Sequence, residues 1–371
     1  ESSAASDVYK RQANGITIHT NGNIDNVNGA IVGNGKIELK TNGRLENAQN
    51  SKITTGKSLA ILAENDVVNV ESSITSLGNI TINTNRNILN KNGKIEAVED
   101  ITLQAKQNIE NYYGNLLGNK TVNLQTQAEL KNTQNSQIIS GKMMDIYAKT
   151  GIVNNQSSIT SLDTLIINTD NQLFNEVGKI EAVDDLAISA MGNIENKNSG
   201  ILSNKTVDIQ TKAELKNLQD SQITGGDFLS IQAAGSIENQ QSNLLSAGGI
   251  LLTTQGMLSN TNADIEAQKE INIHADKLIN LNQGRIVSIG EDLVVEAEQS
   301  IENKGLLGSN QKLNLLSSSI DNQSGQISSQ LAMDIQTENV LNNNGNIKTK
   351  DTVTIQTQNL QNGNGLSLIH I

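Results

Sequence analysis

The stretch Ser72–Asn92, SSITSLGNITINTNRNILNKN, decides how this chain is read. Its apolar residues Ile74, Ile80, Ile82 and Ile88 are separated by polar ones, and Asn90 follows the last of them by two positions. The next unit, Gly93–Tyr113, repeats the arrangement with Ile95, Ile101, Leu103, Ile109 and Asn111. The shared motif is apolar-x-apolar-x-[Thr/Ala/Ser], a polar gap, apolar-x-Asn, a second gap, and one more apolar residue. Alternation over four or five positions, as in Lys36-Ile37-Glu38-Leu39-Lys40, is the period of a half-buried strand. Each run stops at Asn, Gly, Asp or Ser, which close tight turns. A helix would need apolar spacings of three and four over a longer window, and no unit has them.

The second apolar residue of each pair falls at Ile18, Leu39, Ile61, Ile82, Leu103, Leu124, Ile146, Ile167, Ile188, Ile209, Ile231, Leu252, Ile273, Val295, Leu315, Ile335 and Ile355. These 17 positions are 21 or 22 residues apart up to Val295 and 20 apart after it. A longer period lies on top. GNKTVNLQTQAELKNTQNSQI at Gly118–Ile138 returns as SNKTVDIQTKAELKNLQDSQI at Ser203–Ile223, 85 residues on. SSITSL at Ser72 and GKIEAV at Gly93 return by the same step. A block of four units has been duplicated. Such growth lengthens a rod, whereas a catalytic cleft needs unlike residues converging on one point.

A single unit buries too little apolar surface to offset the entropy of ordering it. Stacking removes the deficit, because each strand then pairs with its copy in the units before and after. Crossover connections between parallel strands are right-handed in nearly all cases. The expectation is therefore an all-β right-handed parallel β-helix of about 17 coils, 20–22 residues per coil, roughly 80 Å long at the strand spacing. A membrane barrel would need longer alternating strands and aromatic girdles. A leucine-rich repeat would need its own Leu spacing and a convex segment. Asn26, Asn47, Asn69, Asn90, Asn111, Asn132, Asn154, Asn175, Asn196, Asn217, Asn239 and Asn260 recur at one place in the unit. They are expected to stack as an amide ladder; the competing reading is an exposed binding stripe.

Composition agrees with a chain that is almost all sheet. The 371 residues contain no Pro, Cys or Trp and only 2% aromatics, with 27 basic against 39 acidic residues and a net charge of −12. Pro would delete ladder donors in central strands. Absence of Cys excludes disulfides, thiolate metal sites and cysteine nucleophiles. An acidic chain with four arginines is not a nucleic-acid surface, so no nucleic-acid partner is expected. The ends, residues 1–12 (ESSAASDVYKRQ) and 366–371 (LSLIHI), break the pattern and read as non-native scars. Residues 13–365 then form a single β-helix repeat array, expected to be an internal fragment of a longer protein.

No catalytic, cofactor-binding or metal-ligating residue is singled out, and no cofactor is expected. The acidic clusters Glu96–Asp100 and Glu181–Asp185 are one position in two copies, about 19 Å apart by the strand spacing, and read as solvated turn charge. His19 and His274 hold the same place in coils twelve steps apart, and His370 lies in the terminal scar. Gly225-Gly226 and Gly248-Gly249 read as turns, lacking the series of calcium-binding β-rolls. Leu89, Val153 and Phe174, with Tyr112, Tyr113 and Tyr147, are weighed as one apolar partner patch against scattered exposed side chains.

Units such as GKIEAVEDITLQAKQNIENYY and SQITGGDFLSIQAAGSIENQQ resemble the haemagglutinin repeats of filamentous haemagglutinin-like exoproteins, across essentially Asn14–Gly365. These are adhesins and contact-dependent growth-inhibition proteins of Gram-negative bacteria. The resemblance implies a secreted, surface-displayed, non-enzymatic rod, exported by a dedicated outer-membrane transporter in two-partner secretion. It also implies a host or bacterial surface ligand, unspecified by sequence. The expected role is a shaft that mediates adhesion or displays a distal effector domain. The alternatives are a passive spacer of a contact-dependent inhibition toxin and a carbohydrate-active β-helix enzyme.

Overall fold

The computed structural model describes residues 14–369. All its regular structure is β-strand. The Glu1–Gln12 stretch and His370 lie outside the described residues. Each coil lays down three short strands. In the deciding stretch and its continuation these are Ile80–Thr84, Ile88–Lys91 and Lys94–Ala97. They are called here the first, second and third strands, and their stacks the first, second and third faces.

Equivalent strands of successive coils pair in parallel. The third face is an unbroken ladder of 17 strands from Ala30–Gly33 to Leu366–Ile369. Leu366–Ile369, set apart in the sequence, is its last strand and pairs with Asn346–Thr349. Ile61, Ile82 and Leu103 are vertical neighbours, as the repeat demands. The column runs without a slip from Ile18 to Ile355. The interior is one continuous stack of Ile, Leu, Val and Ala with Met144 and Met333; Ile80, Ile82 and Ile95 have no exposed surface. A one-residue slip would turn every such side chain outward, so burial itself holds the register.

Variation in coil length is confined to corners. Between second and third strands most coils turn on one left-handed residue, such as Asn92 (φ 47°) or Asn198 (φ 48°). Four 22-residue coils carry two: Gln49/Asn50, Gln134/Asn135 and Gln219/Asp220, which recur at the 85-residue period, and Asn282/Gln283, which lies off it. The shortening towards 20 residues arises at the other corner. Three residues separate Thr84 from Ile88, but two separate Ser317 from Ile320. In three consecutive coils the chain does not break at this corner. Ile271–Leu281, Leu293–Asn303 and Leu313–Asp321 each run through the corner as single strands. The first and second faces thereby fuse into one 31-stranded sheet.

Candidate functional site

The most extensive polar construction is buried. Each second strand turns an Asn inward beside the apolar column, and Asn90 is 1% exposed. The Nδ2 of each Asn donates to Oδ1 of the Asn one coil further on. Sixteen such bonds, each 2.7–2.9 Å, run in one direction from Asn26 to Asn362. The remaining amide hydrogen meets main-chain carbonyls: Asn47 reaches Ser73 O at 3.1 Å, and Asn90 reaches Gly93 O at 3.1 Å. Only an N–H can face a carbonyl, so these contacts set the direction of every amide. Head-to-tail amides in a dry interior polarise one another. Burial removes them from reach of a ligand, which rules out the exposed-stripe reading.

The sequence pattern stopped at Asn260, yet Asn280, Asn303, Asn322, Asn342 and Asn362 continue the ladder. Their spacings of 20, 23, 19, 20 and 20 residues hid them. A second signal went unread. The residue opening each third-strand segment, next to the amides, is Gly, Ser or Ala, as in Ser72, Gly93, Gly114, Ser136 and Ser157. A Cβ on Gly93 would meet Asn69 Nδ2 and Asn90 Oδ1 at 2.5 Å. Where Ser stands, its hydroxyl joins the stack: Ser51 N–H donates to Ser72 Oγ at 3.0 Å.

The acidic clusters are only partly turn charge. Glu96 and Glu181 lie within third strands, each beside a lysine; Lys179 Nζ is 2.6 Å from Glu181. The corner carboxylates bind the next coil. Glu99 pairs with Lys120 at 3.0 Å, and Asp184 with Lys205 at 2.8 Å, a hydrogen bond that raises the Lys205 ammonium. Asp100 accepts Thr121 N–H at 3.0 Å and Asp185 accepts Thr206 N–H at 3.3 Å. These carboxylates therefore satisfy main-chain donors at strand starts. Elsewhere, burial pushes the Asp145 carboxyl up, and a hydrogen bond with Glu270 raises that of Glu291.

His19 and His274 each face a glutamate one coil on, Glu38 at 3.5 Å and Glu296 at 3.0 Å. Among the described residues no three His, Asp or Glu side chains gather as a metal-binding group. A groove of about 1040 Å³ follows the shortened corner, with His274, Asp276, Glu298, Leu316 and Glu338 on its walls. The glycine pairs are split between turn and strand. Gly225 closes one strand and Gly249 opens another, while Gly226 and Gly248 turn. A Cβ on Gly226 would sit 1.9 Å from Asn204 O in the preceding coil.

The weighed apolar patch does not assemble. Val153 and Phe174 are neighbours on the second face, but Glu110 and Lys131 separate them from Leu89. Tyr112 and Tyr113 meet edge-on at the corner, ring centres 4.8 Å apart. Tyr147 stands on the first face, its hydroxyl donating to Asp170 at 2.8 Å.

A three-faced parallel coil with a buried amide spine and surface charges paired partly within strands and partly from coil to coil defines a β-solenoid rod. The haemagglutinin repeat model matches residues 75–135, 124–198, 198–262 and 263–370, about four fifths of the chain. The chain belongs to the haemagglutinin repeat family, a structural, adhesin-type family of exoproteins. No curated protein and no solved structure matches it.

Proposed function

We propose that residues 13–365 act as one shaft of a secreted Gram-negative surface exoprotein, mediating adhesion or holding a distal effector domain away from the cell. The observation that carries this reading is the unslipped column from Ile18 to Ile355, tied at every step by a hydrogen bond between asparagine side-chain amides. A rod bonded coil to coil transmits position over about 80 Å. Family membership supports export through an outer-membrane two-partner-secretion transporter, and coil-by-coil stacking suits folding as the chain emerges. On this reading the chain carries no enzymatic activity, cofactor or metal, and the surface charges serve solubility and coil pairing.

The test separates adhesion from spacing. Beads coated with the purified chain are offered to erythrocytes and to bacterial cells. Specific retention that free chain competes away supports an adhesive shaft. Absence of retention, with normal display of a fused reporter at the cell surface, supports the spacer. Failure of both overturns the shaft. Turnover of uronate polymers, lost in a Glu99→Gln, Asp100→Asn variant, would replace it with the enzyme reading.

A further inference from the structure

We propose that the second face is a self-recognition surface, on which two copies of this chain pair side by side and antiparallel about a two-fold axis between Val153 and Phe174. Successive coils present, as vertical neighbours pointing outward, Glu110, Lys131, Val153, Phe174, Glu195 and Lys216. All six are half-buried. Read upward the column is acid, base, apolar, apolar, acid, base. Read downward it is base, acid, apolar, apolar, base, acid. An antiparallel copy therefore sets Glu110 against Lys216, Lys131 against Glu195 and Val153 against Phe174, and the two-fold repeats each contact. A parallel copy would set Glu on Glu and Lys on Lys.

Isologous interfaces require self-complementarity of this kind. It arises because the duplicated block places Val-Leu-Glu-Lys and then Val-Phe-Glu-Lys along one column, at positions 68–131 and 153–216. The flanking columns do not oppose it. Glu129 would face Asn193, Thr133 would face Lys197, and Tyr112 would face Leu218. Lys131 and Lys216 are held over the face by in-strand partners Glu129 (3.1 Å) and Glu214 (3.0 Å), so their heads are already placed. A depression of about 330 Å³ beside Val153 and Phe174 leaves room for the opposing Phe174. Complementarity ends where Leu89 would meet Glu238. The matched patch, six coils long and one strand wide, covers about 400 Å² per copy. That is below the roughly 800 Å² per partner of a stable complex, so pairing is weak and becomes significant when rods are crowded.

Sedimentation velocity of the whole 371-residue chain over a concentration series tests this. Reversible dimerisation is expected. Lys131→Glu and Glu195→Lys should each weaken it about tenfold or more by bringing like charges together. The double variant K131E/E195K should restore it, because the exchanged charges meet again. Circular dichroism of the variants should match the parent, as only outward side chains change. A chain that stays monomeric to about 1 mM, far weaker than the pairing expected of a patch this size, overturns the proposal. So do single reversals without effect, and a double variant no better than the singles.

Discussion

At the scale of single residues, the amide ladder carries most of the fold's polar specificity. Asn154 accepts from Asn132 at 2.9 Å and donates to Asn175 at 2.8 Å. Asn154→Ala removes both bonds and leaves Asn175 Oδ1 without its donor in a dry interior. The expected cost is about 3 kcal/mol. A rod of repeats opens locally rather than all at once, so amide exchange should rise in the second strands around residues 130–133 and 173–176 and stay unchanged near Ile88. Gln125→Ala, on the exposed side of a first strand, should change stability by less than about 0.5 kcal/mol. The corners offer the opposite case. Val177 sits at φ 51°, left-handed and disfavoured for a β-branched side chain, where the coils before and after use Gln156 and Asn198. It is 53% exposed, so little packing is at stake. Val177→Asn should raise the denaturant midpoint, corresponding to a gain of about 1 kcal/mol.

At the scale of elements, strands and corners tolerate change differently. The strand alternates inward and outward, so deleting Asp145 would reverse the facing of the strand on one side of the cut and break its coil. The corner has no such parity. Deleting Asn135 turns a 22-residue coil into one of 21, the length of its neighbours, and should shift stability by no more than about 1 kcal/mol. Protection of the Asn132 and Asn154 amides in both deletions checks the contrast. The fused strands near the C-terminal end follow the same logic. Losing a residue between Ala275 and Leu278 leaves both ends of Ile271–Leu281 in register with the coil before.

For the whole molecule, the 85-residue block is the unit of length. Removing residues 118–202 joins Leu117 to Ser203, the counterpart of Gly118, and leaves every corner type in sequence. Four coils are lost, so the longest dimension seen by small-angle scattering should fall by about 19 Å. The circular dichroism per residue should stay constant. A larger contraction, or loss of sheet signal, would mean that the coils are not interchangeable.

Inside/outside pattern, coil length and register of the apolar column were legible in the sequence alone. They rest on period-two alternation and a near-constant spacing, both properties of short stretches of chain. The amide ladder was legible as far as Asn260, where the spacing stays regular. Its last five members were not, because corners that lose or gain a residue shift the count without disturbing the stack. Tertiary structure alone decided that three faces close around the core, that the amides are sealed from solvent, and that Asp100 and Asp185 cap the next coil. It also decided that Val153 and Phe174 stand together while Leu89 and Tyr147 stand apart. Each depends on which side chains lie one coil above another, a relation about 21 residues long in sequence and one strand spacing, about 4.8 Å, in space.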